Sequence, residues 1–288
     1  MQTNVSVIIC TKDAEKYIDK CTSSLLDQTF KDFEIVIIED ISSGNIDTVL
    51  KKFTDRRIRY FKNEKNLGIA KSRNKGLGLS KGGYIFFTDA DCIVSKDWIE
   101  QGLKFLKDPN CAGVEGRIYY VSKEYKPTFS DHLCENKHGS HFMTGNMAYK
   151  RSVIESVGGF DERYDYHEDR DLALRILKRG KINFSPDMIV YVQQQTLTPK
   201  DVIHSAGHIK NRVYLFKRFG ERKLMFWRIV NPWNLAKALF PPLTFVSLFF
   251  NRFKTSDDYK LLPFRYVYAI LERLQLWKTC AIERVFLI

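Results

Sequence analysis

A chain of 288 residues with 44% hydrophobic content can bury a sizeable core, so a disordered polypeptide is excluded and one large domain, or a domain with an appendage, is expected. Its 46 basic residues outnumber 34 acidic ones for a net charge of +12, which calls for an anionic partner: nucleic acid, a phosphorylated substrate or an anionic membrane surface. The six cysteines form no CxxC pair and no regular spacing, so neither a disulfide framework nor a zinc knuckle is signalled and reduced thiols are expected.

The first stretch, MQTNVSVIICTKD, lacks the basic region, long apolar run and cleavage site of a secretory signal, so it reads as a strand and a cytoplasmic location is expected. VSVIIC (5–10) and FEIVIIED (33–40) are β-branched runs of the kind that form buried parallel strands, with helical spacing between them in AEKYIDKCTSSLLDQ. A short strand follows in 58–64, a helix in 68–81 and another strand in YIFFTDAD (84–91). Strands alternating with helices predict a mainly parallel sheet covered on both faces, whose ligands bind at the carboxyl ends of the strands.

Those ends are acidic: Asp13 follows Thr11 after the first strand, Asp40 ends the second, and Asp89 and Asp91 follow a later one. No GxGxxG follows the first strand, and no GxxxxGK with Ser or Thr occurs anywhere, so neither a dinucleotide fingerprint nor a P-loop is present. Two carboxylates at i and i+2 on extended chain point the same way and can clamp a hard cation, Mg²⁺ or Mn²⁺, whose natural third ligand is a diphosphate. The competing view of such a triplet is a solvated acidic turn.

Further on, a strand is expected near 113–121, and MTGNMAYKRSVIESVGGFDE reads as strand, helix and glycine stop. YHEDRDLALRILKRG is a helix with Glu168 and Asp169 in its first turn, beside the positive end of the helix dipole. Beyond about residue 200 the chain turns basic and aromatic. The apolar stretch 235–254 is broken by Pro241 and Pro242 and too short to span a bilayer, so interfacial helices on an anionic membrane are one expectation and ordinary helices packed on the first domain the other.

Five segments, VSVIICTKDAEKYIDKCTSSLLDQTFKDFEIVIIED, NLGIAKSRNKGL, YIFFTDADC, GNMAYKRSVIESVGGFDE and HEDRDLALRILKRG, resemble in order and spacing the family 2 glycosyltransferases of the GT-A fold. The resemblance covers about residues 4–192 and implies an α/β, Rossmann-like, mixed but mainly parallel sheet in a domain over 1–200, while the change of composition sets off a basic, aromatic helical extension over 201–288. It implies a nucleotide pocket at Thr11, Asp13 and Asp40, a diphosphate side at Arg73 and Asn74, and a metal pair at Asp89 and Asp91, with Asp89 also facing the donor. Gly145 and Asn146 are implied on the acceptor side, and Glu168 with Asp169 as the catalytic pair, Asp169 being the base.

The implied reaction is inverting, metal-dependent transfer of one sugar from a nucleotide-diphosphate sugar to a hydroxyl; Asp40 is compatible with UDP, and the basic, aromatic stretch beyond residue 200 suits a glycan or lipid-linked acceptor at the inner membrane face. Relatives often carry a histidine after the strand that follows the catalytic helix; here Gln193 stands there, and His204 and His208 lie further on. The QxxRW segment of processive relatives is missing, which favours a single addition. Trp98 after the acidic pair reads as core more readily than as a sugar platform. A nucleic-acid-binding protein, a nucleotidyltransferase and a non-catalytic sugar-nucleotide binder are the competing classes. The first is disfavoured by the acidic strand ends, the second by the missing glycine-rich loop and the third by the intact carboxylate pairs.

Overall fold

A computed structural model describes residues 4–121, 135–193, 197–220 and 256–285. They fall into two compact units, the first built from the residues up to 121 and from 135–193, the second from 197–220 and 256–285.

In the first unit the elements are β1 (Val5–Thr11), α1 (Ile18–Leu26), β2 (Phe33–Glu39), α2 (Ile46–Leu50), β3 (Ile58–Lys62), α3 (Ile69–Leu79), β4 (Tyr84–Phe87) and β5 (Cys92–Val94). They continue with α4 (Trp98–Leu106), β6 (Cys111–Tyr120), β7 (Met147–Lys150), α5 (Arg151–Ser156), α6 (Glu168–Ile176) and β8 (Lys181–Val192). The strands form one sheet in the order β3-β2-β1-β4-β7-β6-β8-β5. β3, β2, β1 and β4 run parallel, and β1, β2 and β4 carry the nearly continuous apolar runs expected of strands buried on both faces. β7 then enters antiparallel between β4 and β6, and β5 closes the far edge antiparallel to β8. The chain therefore adopts the mixed, mainly parallel α/β architecture expected.

Alternation along β4 divides the core. Phe86 faces α4, where its ring meets fully buried Trp98 edge to face at 5.1 Å. Ile85 and Phe87 face the opposite way, into a cluster with Ala70 and Leu77 of α3, Ile154 of α5 and Leu172 and Ile176 of α6. Trp98 is thus a core residue, and helices cover both faces.

The expected strand over 84–91 stops at Phe87. Cys92 N–H donates to the Asp89 carbonyl at 3.0 Å, closing a tight turn. The acidic pair consequently sits in a turn that carries the chain from the middle of the sheet to its edge, rather than on extended backbone. The strand that follows α6 runs from Lys181 to Val192.

The second unit comprises α7 (Pro199–Ser205), α8 (Ile209–Phe219), α9 (Ser256–Lys260) and α10 (Leu262–Glu283). α7 starts at a capping box in which Thr198 and Asp201 satisfy each other's backbone N–H. α8 ends at Gly220, whose φ of 66° forms the left-handed stop that glycine makes cheaply. Ile209 and Val213 pack on Leu276 of α10, while Leu271, Leu274, Trp277 and Ile282 are exposed. A short 3₁₀ turn over 206–208 separates α7 from α8, so His204 and His208 do not share one helix, although their rings meet edge to face at 5.4 Å. Among the described residues no helix is long and apolar enough to cross a membrane. The apolar stretch 235–254 lies outside the described residues.

Candidate active site

Parallel pairing of β1, β2 and β4 places their carboxyl ends on one edge of the sheet, which collects Thr11, Asp40 and Asp89 there. Because β7 runs the other way, the residues preceding it reach the same edge, and Phe87 pairs with Met147. Gly145 therefore lies against the acidic turn: its carbonyl accepts from Thr88 Oγ1 at 3.1 Å, and a Cβ there would stand 3.1 Å from Asp89 Oδ2.

On the β1–β2 side, Thr11 is buried and its hydroxyl meets no hydrogen-bond partner among the described residues. Asp13, at φ 52°, accepts from Ser43 N and Oγ at 2.7 and 2.8 Å, which ties the loops after β1 and β2 together. Asp40 is buried and accepts from Asn63 Nδ2, Leu67 N and Gly68 N at 3.0, 2.7 and 2.8 Å. Its carboxylate thus shapes the entry to α3, and the positive φ of Gly68 (82°) lets that N–H turn inward.

Arg73 of α3 joins the two acidic motifs. Its buried guanidinium donates through Nη1 to Glu168 Oε1 and through Nη2 to Asp89 Oδ1, the latter at 3.2 Å, while stacking 5.7 Å over the Phe160 ring. The sequence reading gave this arginine to a diphosphate; in the structure it ties together carboxylates that lie far apart in sequence. Burial opposes its charge, but Glu168 and Asp89 overcome that and raise its pKa. Asn74, expected beside it on the diphosphate, spends its amide on the backbone of Phe160, donating at 2.9 Å and accepting at 2.8 Å.

Asp89, Asp91 and Cys92 bring one ligand atom each within 4.8 Å of one another. Asp89 keeps 41% of its side chain accessible, and two carboxylates in a tight turn suit an oxygen-preferring divalent ion. The Asp91 carbonyl accepts from Gln193 N at 2.8 Å, and the Gln193 side chain donates to the Tyr17 carbonyl at 3.3 Å, so Gln193 braces the turn. His204 and His208 belong to the second unit.

Glu168 and Asp169 open α6, entered through His167 in the left-handed conformation at φ 67°. Glu168 is buried against Arg73. Asp169 is half-buried, with Oδ1 accepting from Arg170 N at 2.7 Å and Oδ2 from Thr144 N at 3.4 Å. Burial, reinforced by the neighbouring Glu168 charge, pushes its carboxyl up to about 7. A carboxylate poised there can take a proton at neutral pH.

Asn146 is not free to meet an acceptor. It is fully buried, with Oδ1 accepting from Trp98 Nε1 at 2.8 Å and Nδ2 donating to the Arg117 and Met188 carbonyls at 2.9 and 2.8 Å. It braces β6, β8 and α4 instead, because an amide sealed in the core must use all its hydrogen-bonding groups. Sequence reasoning missed Glu115 altogether, a buried carboxylate of β6 that holds the loop before Gly145. Its only sequence signal was an acid inside the apolar run CAGVEGRIYY.

The family described as "Glycosyl transferase family 2" matches residues 6–160. An "Uncharacterized glycosyltransferase" of Haemophilus influenzae is 29% identical over 65% of this chain and 64% of its own length. "Glycosyltransferase GlyA" of Streptococcus pneumoniae is 29% identical over 59% of this chain and 23% of its own length, so the chain spans less than two thirds of these relatives. "Glucosyl-dolichyl phosphate glucuronosyltransferase" of Haloferax volcanii is 31% identical over 54% of this chain and 56% of its own length. Among solved structures, a mannosyltransferase of Pyrobaculum calidifontis in complex with GDP-Man and Mn²⁺ is similar at a TM-score of 0.63 and 17% identity, covering 96% of this chain and 87% of that one. Staphylococcus aureus TarS 1-349 in complex with UDP-GlcNAc gives 0.60 at 16% identity, covering 97% and 92%. At such identities the likeness speaks to the fold alone.

Proposed function

The chain belongs to glycosyl transferase family 2, and from that premise we propose that it is an inverting, metal-dependent enzyme moving one sugar from a nucleotide-diphosphate sugar, UDP-linked by preference, to a hydroxyl of a glycan or lipid-linked acceptor in surface polysaccharide or glycoconjugate synthesis. The observation that carries this reading is the Arg73 bridge, which holds a metal-suited acidic pair and a proton-accepting pair on one sheet edge. The relatives and neighbours described with nucleotide-sugar donors support the donor class.

The chemistry follows from where each group sits. In such a transfer the bond from C1 to the diphosphate breaks as an acceptor oxygen bonds C1 from the opposite side, and the acceptor proton must go to a base on that side. Asp169 is our assignment for the base, held by Thr144 N and Arg170 N and already raised to about 7. Mg²⁺ or Mn²⁺ held by Asp89 and Asp91 would supply charge neutralisation for the departing diphosphate. Arg73 keeps Asp89 and Glu168 in register and adds positive potential. Thr11, Asp13 and Asp40 frame the nucleotide pocket, Thr11 by its unspent hydroxyl and the aspartates by ordering the loops around it. Gly145 leaves the room at Asp89 that a side chain would take.

The decisive experiment is a thermal-shift panel of UDP, GDP and dTDP, each with and without Mn²⁺, since a ligand that binds only the folded state raises its stability. UDP should stabilise most and only with the ion, and Asp91→Asn should remove the shift. No shift with any nucleotide would reject the reading.

Attachment to the inner, anionic face of the membrane is part of the proposal. It is supported by the +12 charge and by exposed Leu271, Leu274, Trp277 and Ile282 on α10. Flotation with anionic liposomes should carry the full chain, whereas Leu274→Ser with Trp277→Ser should release it; a full chain that does not float would remove the membrane assignment, and equal flotation would remove α10 as the contact.

A further inference from the structure

The mechanism makes no use of Glu115, yet this buried carboxylate is among the most heavily engaged side chains near the site. Its Oε1 accepts from Asn136 Nδ2, His141 N and Phe142 N at 2.7, 2.9 and 2.6 Å, and its Oε2 from Ser140 N at 2.7 Å. Three successive backbone N–H groups converge on one carboxylate, the concave arrangement that backbone amides form around an anion. To do so the chain turns left-handed at Gly139, Ser140 and Phe142, with φ of 83°, 69° and 58°. Only the first is a glycine, so two residues carry a backbone conformation that costs free energy and persists because the surroundings impose it.

This loop leads directly to the base. Two residues beyond Phe142, Thr144 N–H meets Asp169 Oδ2. Earlier in the loop the Ser140 carbonyl accepts from Arg170 Nη1 at 3.2 Å, and the Arg170 guanidinium lies 5.8 Å over the Phe142 ring. Both Asp169 and the residue after it are therefore held by a segment whose shape Glu115 imposes. The base of the loop is fixed independently, since Asn136 and Ile118 exchange backbone hydrogen bonds at 2.8 and 3.1 Å.

We infer that Glu115 is a positioning residue for Asp169, acting through the 139–144 loop, so that loss of its negative charge loosens the start of α6 as well as the loop. Glu115→Gln keeps the shape but turns an amide N–H toward amide N–H groups. Hydrogen exchange should then run about tenfold or more faster in peptides covering 139–144 and also in those covering 167–171. Asn136→Ala, which removes one donor to Glu115 and the acceptor for Gly139 N–H, should move both peptides the same way by less. A purely structural role would loosen 139–144 alone, and that pattern in both variants would overturn the inference.

Turnover is the second readout, and it rests on the transferase reading above. With whichever of the UDP-, GDP- or dTDP-sugars the native protein consumes, Glu115→Gln should lower kcat by about tenfold to a hundredfold and leave the donor KM within about twofold. Unchanged kcat would overturn the inference. A native protein that consumes none of them would reject the transferase reading while the exchange measurement still decides the role of Glu115.

Discussion

Arg73→Met is the perturbation that tests the site most directly. Methionine fills much of the volume beside Phe160 but leaves Glu168, whose side chain is 7% exposed, without its guanidinium partner. Taking away one member of a buried ion pair costs about 3–5 kcal/mol, because the remaining charge stays desolvated. In a unit of this size that is a fall of about 10 °C in the unfolding midpoint. Urea titration at pH 7.5 followed by circular dichroism would measure the free-energy loss, and a thermal melt the midpoint. The double variant Arg73→Met with Glu168→Gln should recover a substantial part of the loss, since the stranded charge is gone. Arg73→Lys should fall between, because an ammonium keeps the charge but cannot fork to two carboxylates. A loss under about 1 kcal/mol for Arg73→Met, or a double variant no better than the single one, would refute the bridge as the element joining the two acidic motifs.

Asp169 makes two pH-dependent predictions. Turnover should rise with pH through about 7 as the base loses its proton, and Asp169→Asn should cost about a hundredfold or more while Mn²⁺-dependent nucleotide binding persists. Because the folded carboxyl keeps its proton up to about 7 while an unfolded one releases it near 3.8, this group's contribution to stability declines as pH rises across that window. Asp169→Asn should flatten that decline in urea midpoints collected from pH 4.5 to 7.5, and an unchanged slope would discard the raised carboxyl. Gly145→Ala should displace Asp89, 3.1 Å from the new methyl, and weaken Mn²⁺ binding about tenfold by calorimetry with little change in fold. Native-like Mn²⁺ affinity would remove Gly145 from the site.

Much of the architecture was legible because its causes are local. The β-branched runs at 5–10 and 33–40 are apolar on both faces and are β1 and β2, and the helical spacing after His167 is α6. The acidic pairs stood out because carboxylates directly after apolar strands, or at a helix start, need a reason. The turn at Asp89 was not legible, since one of its neighbours comes from far along the chain: Thr88 Oγ1 donates to the Gly145 carbonyl, 57 residues away. Trp98 and Asn146 illustrate the same point as partners: the bland reading of Trp98 as core held, and the acceptor role of Asn146 gave way to the hydrogen bond that the indole donates to it.

What the amino-acid order determined by itself was the alternation of strands and helices and the acidic character of the strand ends, set by periodicity and nearest neighbours, together with a motif order that resembles a known family. The tertiary structure alone decided which of those polar groups are spent on the protein and which face outward. Arg73 reaches Glu168 across 95 residues, and Glu115 gathers amide groups from a loop more than twenty residues on. Such pairings arise only when sheet closure brings distant segments together, because a buried charge must find its partners wherever the fold puts them.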